Sequence, residues 1–143
     1  MARGKDFTIL VADRNSHVRE LIRREMTIEG YRVRLAGNGH QVIQQAYQHE
    51  PIDLLIMDPD LPDTDASFLL KKIQNRIPYL PMVIHAFASD YGNHLPFLEV
   101  AAFVEKGANS VEILKTVAYE ILRKPNQQQT KALKDSDQQP EES

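Results

Sequence analysis

The sequence predicts an α/β fold, a doubly wound parallel sheet of five βα units. Three observations lead there. Short β-rich apolar runs recur five times, at FTILVA (7–12), YRVRLA (31–36), IDLLIM (52–57), PMVIHAF (81–87) and AFVEKG (102–107). The segments between them carry apolar residues at helical spacing. The third run is continuously apolar, the mark of a central parallel strand covered by helices on both sides.

Each element has its own local signal. After the first strand, Asn15 and Ser16 offer N-caps to a helix with Val18, Leu21, Ile22 and Met26 on one face, and Gly30 stops it. The second strand alternates, with one face toward water. Asn38-Gly39 then breaks the chain before a helix expected over roughly residues 40–50 and closed by Pro51. Phe68, Leu69, Lys72 and Ile73 predict a third helix ending before Pro78, and Pro81 stands at the edge of the fourth strand. SDYGNHLPFLEVAA (89–102) contains Gly92 and Pro96, so a loop is expected first and then a short fourth helix with Pro96 near its first position. NSVE (109–112) reads as a capping box for a fifth helix with Ile113, Leu114, Val117, Ala118, Ile121 and Leu122 on one face.

The expected organisation is one domain over 1–124 and a polar, disordered tail over 125–143, where Gln, Ser, Pro and charge dominate. A chain of 143 residues with 42% hydrophobic content suits one compact core. Lys and Arg number 17 against 20 Asp and Glu, a net charge of −3, and no basic run would track a phosphate backbone, so nucleic acid is not indicated. Cysteine is absent, which excludes disulfides and thiolate metal sites. No stretch approaches the roughly 20 apolar residues of a membrane helix, and MARGKDFTIL lacks a signal peptide's apolar segment, so a cytoplasmic location is expected.

In a doubly wound sheet, ligands collect at the carboxyl ends of the strands. Asp13 follows the first strand, Asp58 the third, and Lys106 ends the fifth, so three charges distant in sequence are expected on one rim. His17, His40, His49, His85 and His94 show no i, i+3 or i, i+4 pairing that would suggest a metal cluster, and only His85 is expected near that rim.

These residues resemble a family, the receiver domain of two-component response regulators. The resemblance covers about residues 7–123 and is carried by ILVADR (9–14), DLLIMDPDLPDTDA (53–66), PMVIHAF (81–87) and AAFVEKGA (101–108). It implies a flavodoxin-like sheet of order 2-1-3-4-5. It implies that Asp58 accepts a phosphoryl group from a kinase phosphohistidine and that Lys106 is the ammonium that neutralises phosphoryl oxygens. Asp13 matches the first of two acids that help to hold Mg²⁺, with Asp58 beside it. The implied partners are a sensor histidine kinase or phosphotransfer protein, and a downstream protein docked on the fourth helix, fifth strand and fifth helix. A homodimer is compatible with it. The resemblance implies a signalling module rather than an enzyme.

Departures from the pattern are as informative. Arg14 replaces the second acid, usually the direct metal ligand, and Ala86 replaces the hydroxyl residue that grips the phosphoryl group. Gly107 replaces a proline usually joined by a cis bond, so a trans bond is expected, because a cis bond to a non-proline costs about 2.5–4 kcal/mol. Ala66 replaces the glycine that closes the turn after the third strand, and Phe103 takes the switching aromatic position, expected to be static without a hydroxyl to follow. Asp13 and Asp58 against Arg14 and Lys106 give a net charge of zero, so Mg²⁺ binding is expected to be weakened. Arg14 is expected to pair with Asp58 or Asp13, and Asp60 to face solvent.

Two readings follow: a single-domain response-regulator receiver that accepts phosphate at Asp58, or a phosphorylation-independent pseudo-receiver acting as an interaction module. A third, a dehalogenase-type enzyme suggested by DPD (58–60), fits poorly because that motif normally follows the first strand. A flavin or dinucleotide site fails for want of a Gly-rich loop after the first strand.

Overall fold

A computed structural model describes residues 7–48, 50–88 and 100–124. Five strands form one parallel sheet in the order β2-β1-β3-β4-β5: β1 (Thr8–Ala12), β2 (Arg32–Ala36), β3 (Leu54–Met57), β4 (Met82–Ala86) and β5 (Ala102–Glu105). The helices are α1 (Ser16–Ile28), α2 (Gly39–Ala46), α3 (Ala66–Gln74) and a C-terminal α4 (Ser110–Arg123). The short helix expected near Pro96, with His94, falls outside the described residues, as do His49 and the 125–143 tail. No helix among the described residues is long and apolar enough to cross a membrane.

Alternation along the strands sorts the core into two layers. Ile9, Val11, Leu54, Ile56, Val83 and Val104 pack with Ile22 and Met26 of α1 and Leu114, Ala118 and Leu122 of α4. The intervening residues Leu10, Ala12, Leu55, Met57, Met82, Ile84 and Ala86 pack with Val42 and Ala46 of α2 and Leu69, Leu70 and Ile73 of α3. All four residues of β3 are buried, as its continuous apolar run predicts.

The helix signals hold in part. Asn15, Asn38 and Asp65 cap α1, α2 and α3 through their side chains, and Gly30 follows α1 with φ 101°, a left-handed conformation that suits glycine. α2 ends at Ala46, short of the expected residue 50, where Tyr47 leaves helical geometry and Arg76 Nε donates to the Ala46 carbonyl. The capping box at 109–112 does not form. Asn109 has φ −110° and ψ 16° and makes no side-chain cap bond, while Glu112 pairs with Lys115 at 3.1 Å. Ile113 is exposed, and Val111 packs against the core instead.

Lys115 joins α4 to α1 through Glu25 (2.9 Å), and its hydrogen bonds to Glu25 and then Glu112 raise its pKa.

Candidate functional site

One backbone bond beyond each strand fixes the three charged residues at the rim. Asp13 N donates to Ala36 O (3.1 Å), Asp58 N to Ala12 O (3.0 Å) and Lys106 N to Ala86 O (2.9 Å). The strand ends therefore hold Asp13, Asp58 and Lys106 with little freedom, and their side chains meet. Lys106 Nζ lies 2.7 Å from Asp58 Oδ2 and 2.9 Å from Asp13 Oδ2. Asp13 and Asp58 are buried, at 1% and 6% exposure, so the ammonium compensates two carboxylates that solvent hardly reaches. Burial by itself would lower the Lys106 pKa, but its hydrogen bond to Asp58 and its pairing with the Asp13 carboxylate outweigh it and leave the pKa raised.

The remaining carboxylate oxygens have distinct surroundings. Asp58 Oδ1 accepts from Asp60 N (2.9 Å), and Asp13 Oδ1 accepts from Asn15 N (2.9 Å). Asp13 Oδ2 sits near Lys106 without hydrogen-bond geometry and is the one buried side-chain polar atom among the described residues with no hydrogen-bond partner. That oxygen suits a hard cation, and Mg²⁺ is commonly held by one or two carboxylates together with waters. Asp13 and Asp58 therefore fit Mg²⁺ as a sparse site; no group of three His, Asp or Glu side chains able to hold a metal occurs among the described residues.

Arg14 corrects the expectation made for it. It pairs with neither Asp58 nor Asp13. Its Nε donates to Asp60 O (3.0 Å) and its Nη2 to Asp60 Oδ1 (3.2 Å). The reason lies in the acceptors: Lys106 lies against both Oδ2 atoms of Asp13 and Asp58 and two backbone amides take both Oδ1 atoms, whereas Asp60 offers a carboxylate and a carbonyl. Asp60, expected simply to face solvent, is exposed but engaged. The charge balance changes accordingly. Arg14 and Asp60 cancel each other, and Asp13, Asp58 and Lys106 leave −1 rather than zero.

The acidic loop after β3 is tied to its surroundings by protein groups at each acid. Besides the Asp60 contact with Arg14, Asp63 accepts from Gly39 N (2.6 Å) and His40 N (3.0 Å), and Asp65 accepts from Phe68 N (3.1 Å). The two amide bonds, His40 first, lower the Asp63 pKa. Gly39 has no room for a side chain, since a Cβ there would lie 2.4 Å from Thr64 Cγ2.

Ala86 is fully buried in the core and Phe103 on β5 is 36% exposed, so no hydroxyl stands at the end of β4. The Lys106–Gly107 bond is trans, as expected; the only cis bond among the described residues is Ile77–Pro78. Ala66 opens α3 behind its Asp65 cap. His85 bonds through Nε2 to Ser110 Oγ (3.0 Å). Burial first, and the Lys106 charge second, lower its pKa. Two contacts had no advance signal in the sequence: the Phe87 ring lies 5.5 Å from Lys106 Nζ, and Arg19 Nη1 donates to Asp13 O (2.7 Å).

The response regulator receiver domain family matches residues 9–124. The chain belongs to that family. The receiver domain is 30% identical over 118 residues to the response regulator GtcR of Aneurinibacillus migulanus, covering 81% of this chain and 48% of that protein. It is 36% identical over 77 residues to the DNA-binding transcriptional regulator NtrC of Bradyrhizobium sp. (strain RP501 Parasponia), covering 54% of this chain and 16% of that protein. The chain thus spans half or less of these curated relatives. Among solved structures it is similar to the response regulator TrrA of Thermotoga maritima in complex with Mg²⁺-BeF, with TM-score 0.73 and 25% identity over 81% of this chain and 99% of that one. A CheY-like receiver of Methanospirillum hungatei JF-1 shares the fold, with TM-score 0.70 and 20% identity over 80% and 93% of the two chains. Receiver domains of two-component response regulators interact with histidine kinases or phosphotransfer proteins and typically bind Mg²⁺ at their acidic site.

Proposed function

We propose that this receiver accepts a phosphoryl group on Asp58 and binds Mg²⁺ more weakly than a site with three carboxylates would. The observation that carries the reading is the pairing of Lys106 Nζ with Asp58 Oδ2 and Asp13 Oδ2 at the end of β3. In the proposed step a carboxylate oxygen of Asp58 attacks phosphorus of a phosphohistidine or small phosphodonor. The new P–O bond gives an acyl phosphate, the P–N or donor P–O bond breaks, and the leaving group takes the electron pair. Lys106 stays protonated and meets the developing charge on the phosphoryl oxygens. Mg²⁺, when bound at Asp13 and Asp58, would add charge neutralisation for the same oxygens.

Weakened Mg²⁺ binding follows from the residues that flank the site. Arg14 supplies no carboxylate and engages the Asp60 carbonyl and side chain. A net charge of −1 attracts a divalent cation less than the −2 of three carboxylates and one lysine. With Ala86 in place of a hydroxyl, phosphorylation has no contact through which to move Phe103, and a ligand shifts an equilibrium only by contacts that differ between states.

The partners proposed are a histidine kinase or phosphotransfer protein on the input side and, on the output side, a protein docked on β5 and α4, where Phe103, Ile113 and Tyr119 are exposed. We place the domain at 1–124, followed by a polar tail, and its location in the cytoplasm.

Intact-mass spectrometry after incubation with a small phosphodonor tests the reading. A gain of one phosphoryl group is expected in the native protein and none in Asp58→Asn. No gain with or without Mg²⁺ would leave the phosphorylation-independent interaction module as the better account.

A further inference from the structure

At the opposite end of β3 from Asp58, a cleft of about 390 Å³ opens between Tyr47, Pro51, Asp53, Arg76, Pro78 and Tyr79. Its size lies at the small end of the roughly 300–1,000 Å³ typical of ligand pockets. Arg76 is nine-tenths buried, yet no carboxylate among the described residues lies within ion-pair distance of it. Its Nε donates to Ala46 O and its Nη1 to Pro78 O (2.6 Å), which leaves Nη2 without a partner among the described residues but not sealed from solvent. Asp53 lines the same cleft. Its Oδ2 accepts from Thr8 N (2.7 Å), and its Oδ1 likewise has no partner among the described residues.

Arg76 and Asp53 therefore present opposite charges to one cleft without pairing with each other. A buried guanidinium served only by carbonyls gains most from a carboxylate, which it can meet with its fixed fork. A carboxylate alone would also face Asp53, whereas a ligand carrying both charges satisfies both groups. Apart from Gln48, the rest of the lining is aromatic, aliphatic and proline surface. We propose that this cleft binds a small zwitterion with an apolar side chain, a free amino acid, its carboxylate on Arg76 and its ammonium on Asp53.

The bland role of Arg76, closing the C-terminal end of α2, is compatible with this, so the test relies on ligands and on Asp53 rather than on removing the arginine. Amide chemical shifts of the full chain are followed during titration with phenylalanine, phenylpropionate (no ammonium) and phenethylamine (no carboxylate), each to about 10 mM, where a millimolar complex saturates. Phenylalanine is expected to shift Tyr47, Asp53, Arg76 and Tyr79 and to bind at least about 10-fold more tightly than either half-molecule. Asp53→Asn keeps an acceptor for Thr8 N and is expected to weaken phenylalanine by about 10-fold while sparing phenylpropionate. Absence of localised shifts, equal binding of a half-molecule, or undiminished phenylalanine binding by Asp53→Asn would each overturn the proposal.

Discussion

Replacing Lys106 by methionine isolates what the ammonium does for the fold. The substitution keeps an unbranched apolar side chain beneath Phe87 and removes only the charge that lies 2.7 Å from Asp58 and 2.9 Å from Asp13. At an effective dielectric constant of about 20, each pair carries a Coulomb energy of about 6 kcal/mol, and desolvation of three buried ions offsets most of it. Removing one partner of a buried pair characteristically costs about 3–5 kcal/mol, because the other charge stays buried and uncompensated. Here two carboxylates stay behind and repel each other, so a loss of at least about 3 kcal/mol is expected at pH 7. Urea denaturation in chelator reads the loss directly. Millimolar Mg²⁺ should restore part of it in Lys106→Met, since a divalent cation can replace the ammonium between the same oxygens. Asp58→Asn added to Lys106→Met should recover about 1–3 kcal/mol by removing one stranded charge. A loss below about 1 kcal/mol, the range of exposed pairs, would mean that the carboxylates find solvent when Lys106 is gone. The compact ion cluster inferred at the rim would then be wrong.

Other consequences are simpler to check. Arg14 and Asp60 are both more than half exposed, so Arg14→Ala should change the unfolding free energy measured by urea denaturation by less than about 1 kcal/mol. Gly39→Ala forces a methyl group against Thr64 and the Asp63 clamp and should cost about 1–3 kcal/mol in the same assay. His85 has a folded pKa below its ordinary 6.5, so the unfolded chain takes up the proton first as pH falls. Its contribution to stability is full above about pH 6.5 and lost on moving down toward the folded pKa, and His85→Asn should flatten that part of the stability profile.

The fold was legible because its signals are local and repeated. Apolar runs of strand length, Asn caps and Gly30 each act within a few residues, and the parallel sheet follows from their alternation. The strand order came only from the resemblance to receivers. The capping box at 109–112 misled because a motif states which bonds are available, and here Asn109 takes a backbone conformation from which its side chain does not cap. At the site, Asp13, Asp58 and Lys106 were found from their places after strands. The partner of Arg14 was not, since it depends on which acceptors remain after Lys106 and the amides of Asn15 and Asp60 have taken theirs. Phe87 over Lys106 and Arg19 on the Asp13 carbonyl are contacts between elements, with no spacing rule to announce them. Phe103 and Ala86 lie where the sequence put them.

Lys106, rather than a third carboxylate and its metal, holds the charge at the acceptor corner. Calorimetric titration of Mg²⁺ into the native receiver and into Arg14→Asp tests it most directly. The substitution releases Asp60 and adds a carboxylate, moving the corner from −1 to −3, so Mg²⁺ affinity should rise by at least about 10-fold, equivalent to about 1.4 kcal/mol. Native protein that binds Mg²⁺ as tightly as the variant would contradict the account.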